Sequence, residues 1–559
     1  MEQRRFLKYV TFFFFLLTTS ARSQTVGWFY NDPGSAPGYV LFAPLNSDTT
    51  YLIDKCGKRV HTWHSNYEPG QAVYLLNDGT LLHTGSTINS TFGNAGGKGG
   101  VIEEMDWNSD VTWSYLISDN TQCQHHDAIR LPNGDILAIV WEYHTASDAI
   151  DNGRNPSSLG TRMWSDKLVE IEPTGANTGN IVWQWRAWDH LVQDFDSNKS
   201  NFGVIADHPE LININIGQLN DMNADWLHCN GLDYNAALDE ILVSTHNLSE
   251  VWIIDHSTTT EEASSHNGGL SGHGGDLIYR WGNPQNYAHG TSSDEKFYGQ
   301  HNPRWIPDGY PGAGKIMVYN NGLNRPAGNY STVETFTPPT VVDHNYPIDS
   351  TGRFLPVSQD WIYEADPPSS LYSQVMSGAQ RLLNGNTMIC EATSGKFFEI
   401  DSNGTSFWEY INPVGANGIT AQGSLPIMNS AFRCTYLAAD YSGFSGQVLS
   451  PGSPIELNPL NYNCSNLVGI QELALKENDV EVFPDPFQSS FIIHSTADLD
   501  DAVLQIRDVT GKLIYEVKKF SASPNSDYSV TLPNYHGMII VTLNNFRRDQ
   551  VWRTTAIAQ

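Results

Sequence analysis

Leu75-Leu76-Asn77-Asp78-Gly79-Thr80-Leu81-Leu82 places apolar residues on both sides of an Asp-Gly pair. Both members of such a pair tolerate positive φ, so the stretch reads as two strands joined by a tight hairpin turn. The pattern returns at Leu131-Pro132-Asn133-Gly134-Asp135-Ile136-Leu137 and at Leu382-Leu383-Asn384-Gly385-Asn386-Thr387-Met388-Ile389. A second phrase alternates with it: a strand, an acidic turn with Gly, then a strand ending in an aromatic residue. Its first copy is Ile53-Asp54-Lys55-Cys56-Gly57 leading to Trp63, and it returns at 102–113, 169–185, 253–281, 342–363 and 399–408. Two hairpins per repeat make a four-stranded sheet. Six copies with no helical periodicity between them predict an all-β chain, a six-bladed β-propeller rather than an open sandwich or solenoid. Insertions at 143–166, 186–224 and 256–275 are expected as surface loops.

The repeats fade near Ser450, so the propeller is assigned to 24–450 and a linker to 451–479. From Val480 to the chain end at 559 a second alternating pattern predicts a small C-terminal β-sandwich. At the other end, Arg4, Arg5 and Lys8 precede the apolar run 9–17, and Ala21 and Ser23 supply small residues for cleavage. Residues 1–23 therefore read as a signal peptide, too short in its apolar part to span a bilayer, and no transmembrane segment is expected. Export permits disulfides among Cys56, Cys123, Cys229, Cys390, Cys434 and Cys464, but the spacing does not choose the pairs. No two cysteines form a C-x-x-C pair, which argues against a structural zinc. With 31 Lys and Arg against 61 Asp and Glu, the net charge of −30 argues against a nucleic-acid partner. Any anion site must be built locally.

Histidines share one register. Eight residues before Gly134 stands His126, and eight before Gly309 stands His301. In the repeat turning at Asn235-Ala236-Ala237 the same offset gives His228, while the flanking repeats place Gln71 and Ser377 there. Equivalent positions at the start of equivalent strands converge on a propeller axis. Strand alternation then turns Asn230 inward with His228, turns Cys229 into the blade, and selects His126 over His125. Three imidazoles could hold a metal, but only Asp127 offers a carboxylate beside that register, so no metal and no cofactor are expected there. Trp226, Trp305 and Tyr319 are assigned to packing, where large aromatics usually serve.

At these residues the chain resembles the arylsulfotransferase family, secreted six-bladed propellers that move a sulfuryl group between phenols without a nucleotide donor. The resemblance runs over 38–445. It lies in His126-Asp127 before 131–134, in Trp226-Leu227-His228-Cys229-Asn230, in 244–255, in Gln300-His301-Asn302 and in 316–322. It implies that His301 takes the sulfuryl group as a sulfohistidine. It also implies that His126, His228 and Asn230 line the pocket, with an aryl sulfate as donor and a phenol as acceptor. His246 stands where better-known members carry an anion-binding Arg. If His246 supplies that charge, donor binding weakens as pH rises through the imidazole pKa. Ser377 shares the register and is a further substrate-binding candidate. The chemistry asks for one neutral imidazole to attack sulfur and one protonated imidazole to release the phenolate.

The last unit resembles a type IX secretion C-terminal sorting domain, through Val482-Phe483-Pro484-Asp485-Pro486-Phe487, the 508–512 turn and His536-Gly537-Met538. Asp485 stands where the usual motif has Asn. This resemblance implies the secretion machinery as a partner. It also implies a secreted or cell-surface protein that has passed through the periplasm. Competing readings are a non-catalytic, surface-displayed binding propeller and a metal-dependent lyase or hydrolase.

Overall fold

The Asn/Asp-Gly turns form as the sequence demands. Gly79, Gly134 and Gly385 adopt φ of +86°, +98° and +93°, and Gly79 N–H donates to Leu76 O at 2.9 Å. These turns sit in a computed structural model that describes residues 24–460 except Asn94, then Cys464 and most of 480–558. The expected signal peptide 1–23 and most of the linker after 460 lie outside the described residues.

The chain is all-β and built from small antiparallel sheets. Strands Gly38–Pro44, Thr49–Asp54 and Arg59–His64 form the first sheet, with the late strand Ala431–Ala438 on its inner edge. The second runs from Pro69–Leu75 to Val111–Leu116, and the third from Gln122–Arg130 to Thr178–Arg186. The fourth runs from Cys229–Asn235 to Leu277–Trp281, and the fifth from His301–Trp305 to Trp361–Glu364. The sixth runs from Gly378–Arg381 to Ser406–Ile411 and gains Gly27–Asn31 on its outside. The inner strands pack against one another in chain order, and 378–381 returns to 431–438. This closed succession is propeller-like.

A tryptophan on the outer strand fastens five of the six sheets to the next. The indole N–H of Trp113 donates to Thr178 O at 3.0 Å, that of Trp185 to Gly275 O at 2.6 Å, and that of Trp281 to Pro356 O at 2.7 Å. Trp361 does the same to Ser402 O at 3.0 Å and Trp408 to Lys55 O at 2.8 Å. These five indoles keep their donor satisfied in this way while their rings pack between sheets.

Three expectations need correction. Strands Ile136–Thr145 and Arg162–Gly175 stay paired out to Thr145 opposite Arg162, so the loop is confined to 146–161. Buried Trp141 and Trp164 hold that extension inward. The insertion at 186–224 is more than a surface loop: Leu191-Val192 pairs in parallel with Ile212-Asn213, and Ile212, Ile214 and Leu219 are buried. In the fifth repeat the third strand is Thr332–Phe336, while Val342 is exposed in the insertion that follows.

The C-terminal unit has two sheets. Val480–Phe483, Ser490–Ser495 and Ser526–Thr531 form one; Leu499–Asp508, Leu513–Ala522, Gly537–Asn545 and Gln550–Ala558 form the other. The last of these strands goes beyond the strand pattern read from the sequence. Phe487, Phe491, Leu504, Ile506, Phe520 and Val541 share its apolar core. Residues 484–486, 509–512 and His536, which carry much of the sorting-domain resemblance, lie outside the described residues. Cys56 and Cys464 form a disulfide, and Cys123, Cys229, Cys390 and Cys434 are free and buried. Among the described residues no helix is long and apolar enough to cross a membrane.

Candidate active site

Five of the six inner strands carry an irregularity at or near their start. His126 and His228 have φ of 53° and 54°, Gln71 and Ser377 have 111° and 82°, and in the fifth sheet Asn302, beside His301, has 54°. Ladder register shifts accompany them, between Pro69 and Val73, opposite 124–128, between Cys229 and Gly231, and between His301 and Arg304. A bulge re-aims the side chain that follows it, and left-handed backbone at a non-glycine costs about 1–3 kcal/mol. The common register is thus a common strained bend at the centre of the sheets.

The bends bring four imidazoles into one chain of contacts. Ring centroids are 4.6 Å apart for His126 and His228, 5.2 Å for His228 and His246, and 5.3 Å for His246 and His301. The Phe432 ring lies 5.9 Å from His126 and 6.5 Å from His301.

His301 is held as a neutral base. Its Nδ1–H donates to Asn321 Oδ1 at 2.8 Å. Asn321 Nδ2 donates to Ser373 O and Met376 O at 2.7 and 2.9 Å, which fixes the amide and therefore the tautomer. Nε2 keeps its lone pair and accepts the Met376 N–H at 3.1 Å. Burial first, then the neighbouring His246, His228 and Arg433, pushes this imidazole well below its ordinary range.

His228 is the opposite case. Burial disfavours its charged form, but the Asp225 carboxylate outweighs burial and raises its pKa. Its Nδ1 meets Asp225 Oδ2 at 2.5 Å, and Trp141 Nε1–H donates to the other Asp225 oxygen at 3.2 Å. A histidine whose charged form is favoured by a carboxylate and histidines whose neutral form is favoured by burial therefore share one site.

His126 and His125 are both pushed well down, by burial first and then by neighbouring histidines or, for His125, His228. Their Nδ1 atoms are 2.8 Å apart, so one donates to the other. His125 is fully buried, stacked on Trp141 at 3.8 Å, with Nε2 2.8 Å from Asp166 Oδ1. It backs His126 from the blade side.

His246 opens the short turn His246–Leu248. Burial and His228 pull it down to about 4, so it holds no charge near neutrality. Its Nδ1 meets Asn247 Oδ1 at 2.8 Å, and its Nε2 has no partner among the described residues. The remaining candidates stand differently. Asn230 is buried and donates from Nδ2 to Gln300 O at 2.8 Å, leaving Oδ1 unpartnered. Ser377 is buried with its Oγ accepting Ala392 N–H at 3.0 Å, so the hydroxyl serves its own sheet. Cys229, Trp226 and Tyr319 are core residues, and Trp305 is partly buried against the core.

Sequence reasoning missed Asp225, Asn321, Met376, Phe432 and Arg433. Asp225 stood three residues before His228 and Asn321 within the quoted 316–322 strand, so both were within reach. Arg433 was not, because its strand carries no repeat phrase. Its guanidinium donates to Asp127 Oδ2 and Tyr74 OH, both at 2.7 Å, and to Asn230 O at 3.0 Å. Arg304 also donates to Tyr74 OH. Asp127 thus answers a cation beside the histidines.

Sheets closing on paired acid and base imidazoles define the class, an all-β, propeller-like protein with a histidine centre. The profile described as Arylsulfotransferase (ASST) matches residues 42–420, and the chain belongs to that family. The family assignment supports sulfuryl transfer in general. No curated protein sequence matches the chain. Among solved structures, a protein of unknown function from Bacteroides caccae is 12% identical, with 72% of this chain and 99% of that one covered and a TM-score of 0.39. Hydrazine synthase of Kuenenia stuttgartiensis is 13% identical, with 54% and 67% covered and a TM-score of 0.31. At such scores neither likeness carries an argument about this chain.

Proposed function

We propose that the chain is a secreted six-bladed propeller enzyme, spanning 24–450, that moves a sulfuryl group from an aryl sulfate to a phenol through a sulfohistidine on His301. The observation that carries this reading is the pairing of a neutral His301, locked by Asn321, with a charged His228, held by Asp225. In the first step His301 Nε2 exchanges the Met376 N–H for the donor sulfur. The N–S bond forms, the S–O bond to the aryl group breaks, and the leaving phenolate takes a proton from His228 Nε2. The charge gained by the His301 ring is met at Nδ1–H by Asn321. In the second step the acceptor phenol gives its proton to His228, its oxygen bonds to sulfur, and the N–S bond breaks. His126 and His246 line the sulfuryl pocket, His246 Nε2 meeting a sulfuryl oxygen only once it has taken up a proton, and Asn230 braces the His301 strand through Gln300. The disulfide fits an oxidising compartment. We assign 1–23 to export and 480–559 to a β-sandwich that addresses the chain to type IX secretion. The test is sulfuryl transfer across aryl sulfates and phenols with wild type beside His301→Ala. Wild-type turnover lost in the variant supports the reading; no turnover from wild type, together with glycan binding, favours a binding propeller.

A further inference from the structure

A second cluster of ionisable side chains lies in the inserted loops, away from the central histidines. His190 comes from the 186–224 insertion, and His266 and Asp276 come from and just after the 256–275 insertion. Their donor atoms converge: His190 Nδ1 and His266 Nδ1 each lie 2.8 Å from Asp276 Oδ1, and one donor atom from each residue falls within 4.8 Å of the others. Among the described residues this is the one such grouping of three.

His190 is held as a ligand is held. Its Nε2 meets Ala263 O at 2.9 Å, the backbone-carbonyl contact that orients a metal-binding imidazole and frees Nδ1 to coordinate. Its ring stacks on Trp185 at 5.6 Å with planes 5° apart, and Trp185 pins Gly275 through its indole N–H. Gly275 leaves no space for a side chain, since a Cβ would stand 2.1 Å from Ala263 O and 2.7 Å from His190 Nε2. His190 is fully buried, Asp276 is 6% exposed and His266 is 56% exposed.

The cluster opens on a cleft of about 910 Å³, whose wall includes His266, Asp276, His273, Glu210 and His208. None of the four central histidines lines it.

We propose that His190, His266 and Asp276 bind one Zn²⁺ through His190 Nδ1, His266 Nδ1 and an Asp276 oxygen, with a fourth position open to the cleft for water or an anionic oxygen ligand. Two imidazoles and a carboxylate suit zinc, and three protein ligands with an open position is its arrangement at reactive rather than purely structural sites. Binding displaces any proton the three groups share and ties the two insertions together.

The test is isothermal titration of Zn²⁺ into the chelator-stripped, disulfide-intact chain, followed by metal analysis after desalting. Wild type and a His494→Ala control in the C-terminal unit are expected to retain one Zn²⁺ per chain. His266→Ala, at an exposed position that the fold tolerates, and Asp276→Asn, which keeps the shape, are each expected to weaken binding at least about tenfold. Wild type retaining no zinc, or both variants binding as wild type does, overturns the proposal.

Discussion

At the residue scale, the site separates histidines by their partners. Asp225 keeps a proton on His228 and Asn321 keeps one from the attacking nitrogen of His301. The donor half-reaction needs His228 protonated, and its pKa is raised. The rate is therefore expected to fall as pH rises through that raised pKa, at higher pH than an ordinary imidazole would set. His301, pushed down, stays neutral well into acid, so the acid side is flat by comparison. Asp225→Asn removes the carboxylate and is expected to shift the alkaline limb to lower pH in a kcat/KM profile; a limb that does not move contradicts the assignment. The same reasoning revises His246. A pKa near 4 means that it cannot supply fixed charge to the site, so donor affinity near neutrality is expected to follow His228 rather than His246.

At the element scale, what matters is the bend at or near the start of five of the six inner strands. The repeat register was legible because hairpin glycines mark the sequence: counting back from them reaches His126 and His301, and the same offset from the Asn235-Ala236-Ala237 turn reaches His228. Simple alternation was a poorer guide. Bulges at Cys229–Gly231 and His301–Arg304 interrupt the period, and Asn230 braces a neighbouring strand. Met376 and Phe432 reach the site from other sheets, and pairing across sheets leaves no local sequence pattern. One loop is tightly fitted to the site. Gly97 has φ of +84°, and a Cβ there would stand 1.9 Å from His126 Cε1. Gly97→Ala is expected to displace the His126 ring, cost about 1–3 kcal/mol of stability by urea unfolding, and lower turnover. A variant with wild-type stability and turnover would show that the loop does not set the ring.

At the scale of the whole molecule, closure was predicted but its devices were not. Ala431–Ala438 completes the first sheet from the far end of the repeat region, and Gly27–Asn31 adds to the last. Between those two sheets lies Glu399, which is fully buried. It meets Lys55 Nζ at 2.6 Å, Ala36 N at 2.7 Å, Asn386 Nδ2 at 2.6 Å and Ser35 Oγ at 3.0 Å. Lys55 is itself buried, and burial pulls its pKa down to about 8 despite the carboxylate. Removing one partner leaves a buried charge without its counter-ion. Lys55→Met is expected to lower stability by about 3–5 kcal/mol, read as a lower urea midpoint with an unchanged slope. A midpoint like that of wild type would show that the seam does not depend on this pair.

The proposed function rests on His301 as the residue that carries the sulfuryl group. The direct measurement is intact-peptide mass spectrometry after brief incubation with an aryl sulfate and no acceptor. The account predicts one added SO3 on the peptide containing His301, discharged when a phenol is supplied and absent in His301→Ala. A His301→Ala chain that keeps full turnover, with no SO3 ever found on that peptide in wild type, would contradict it.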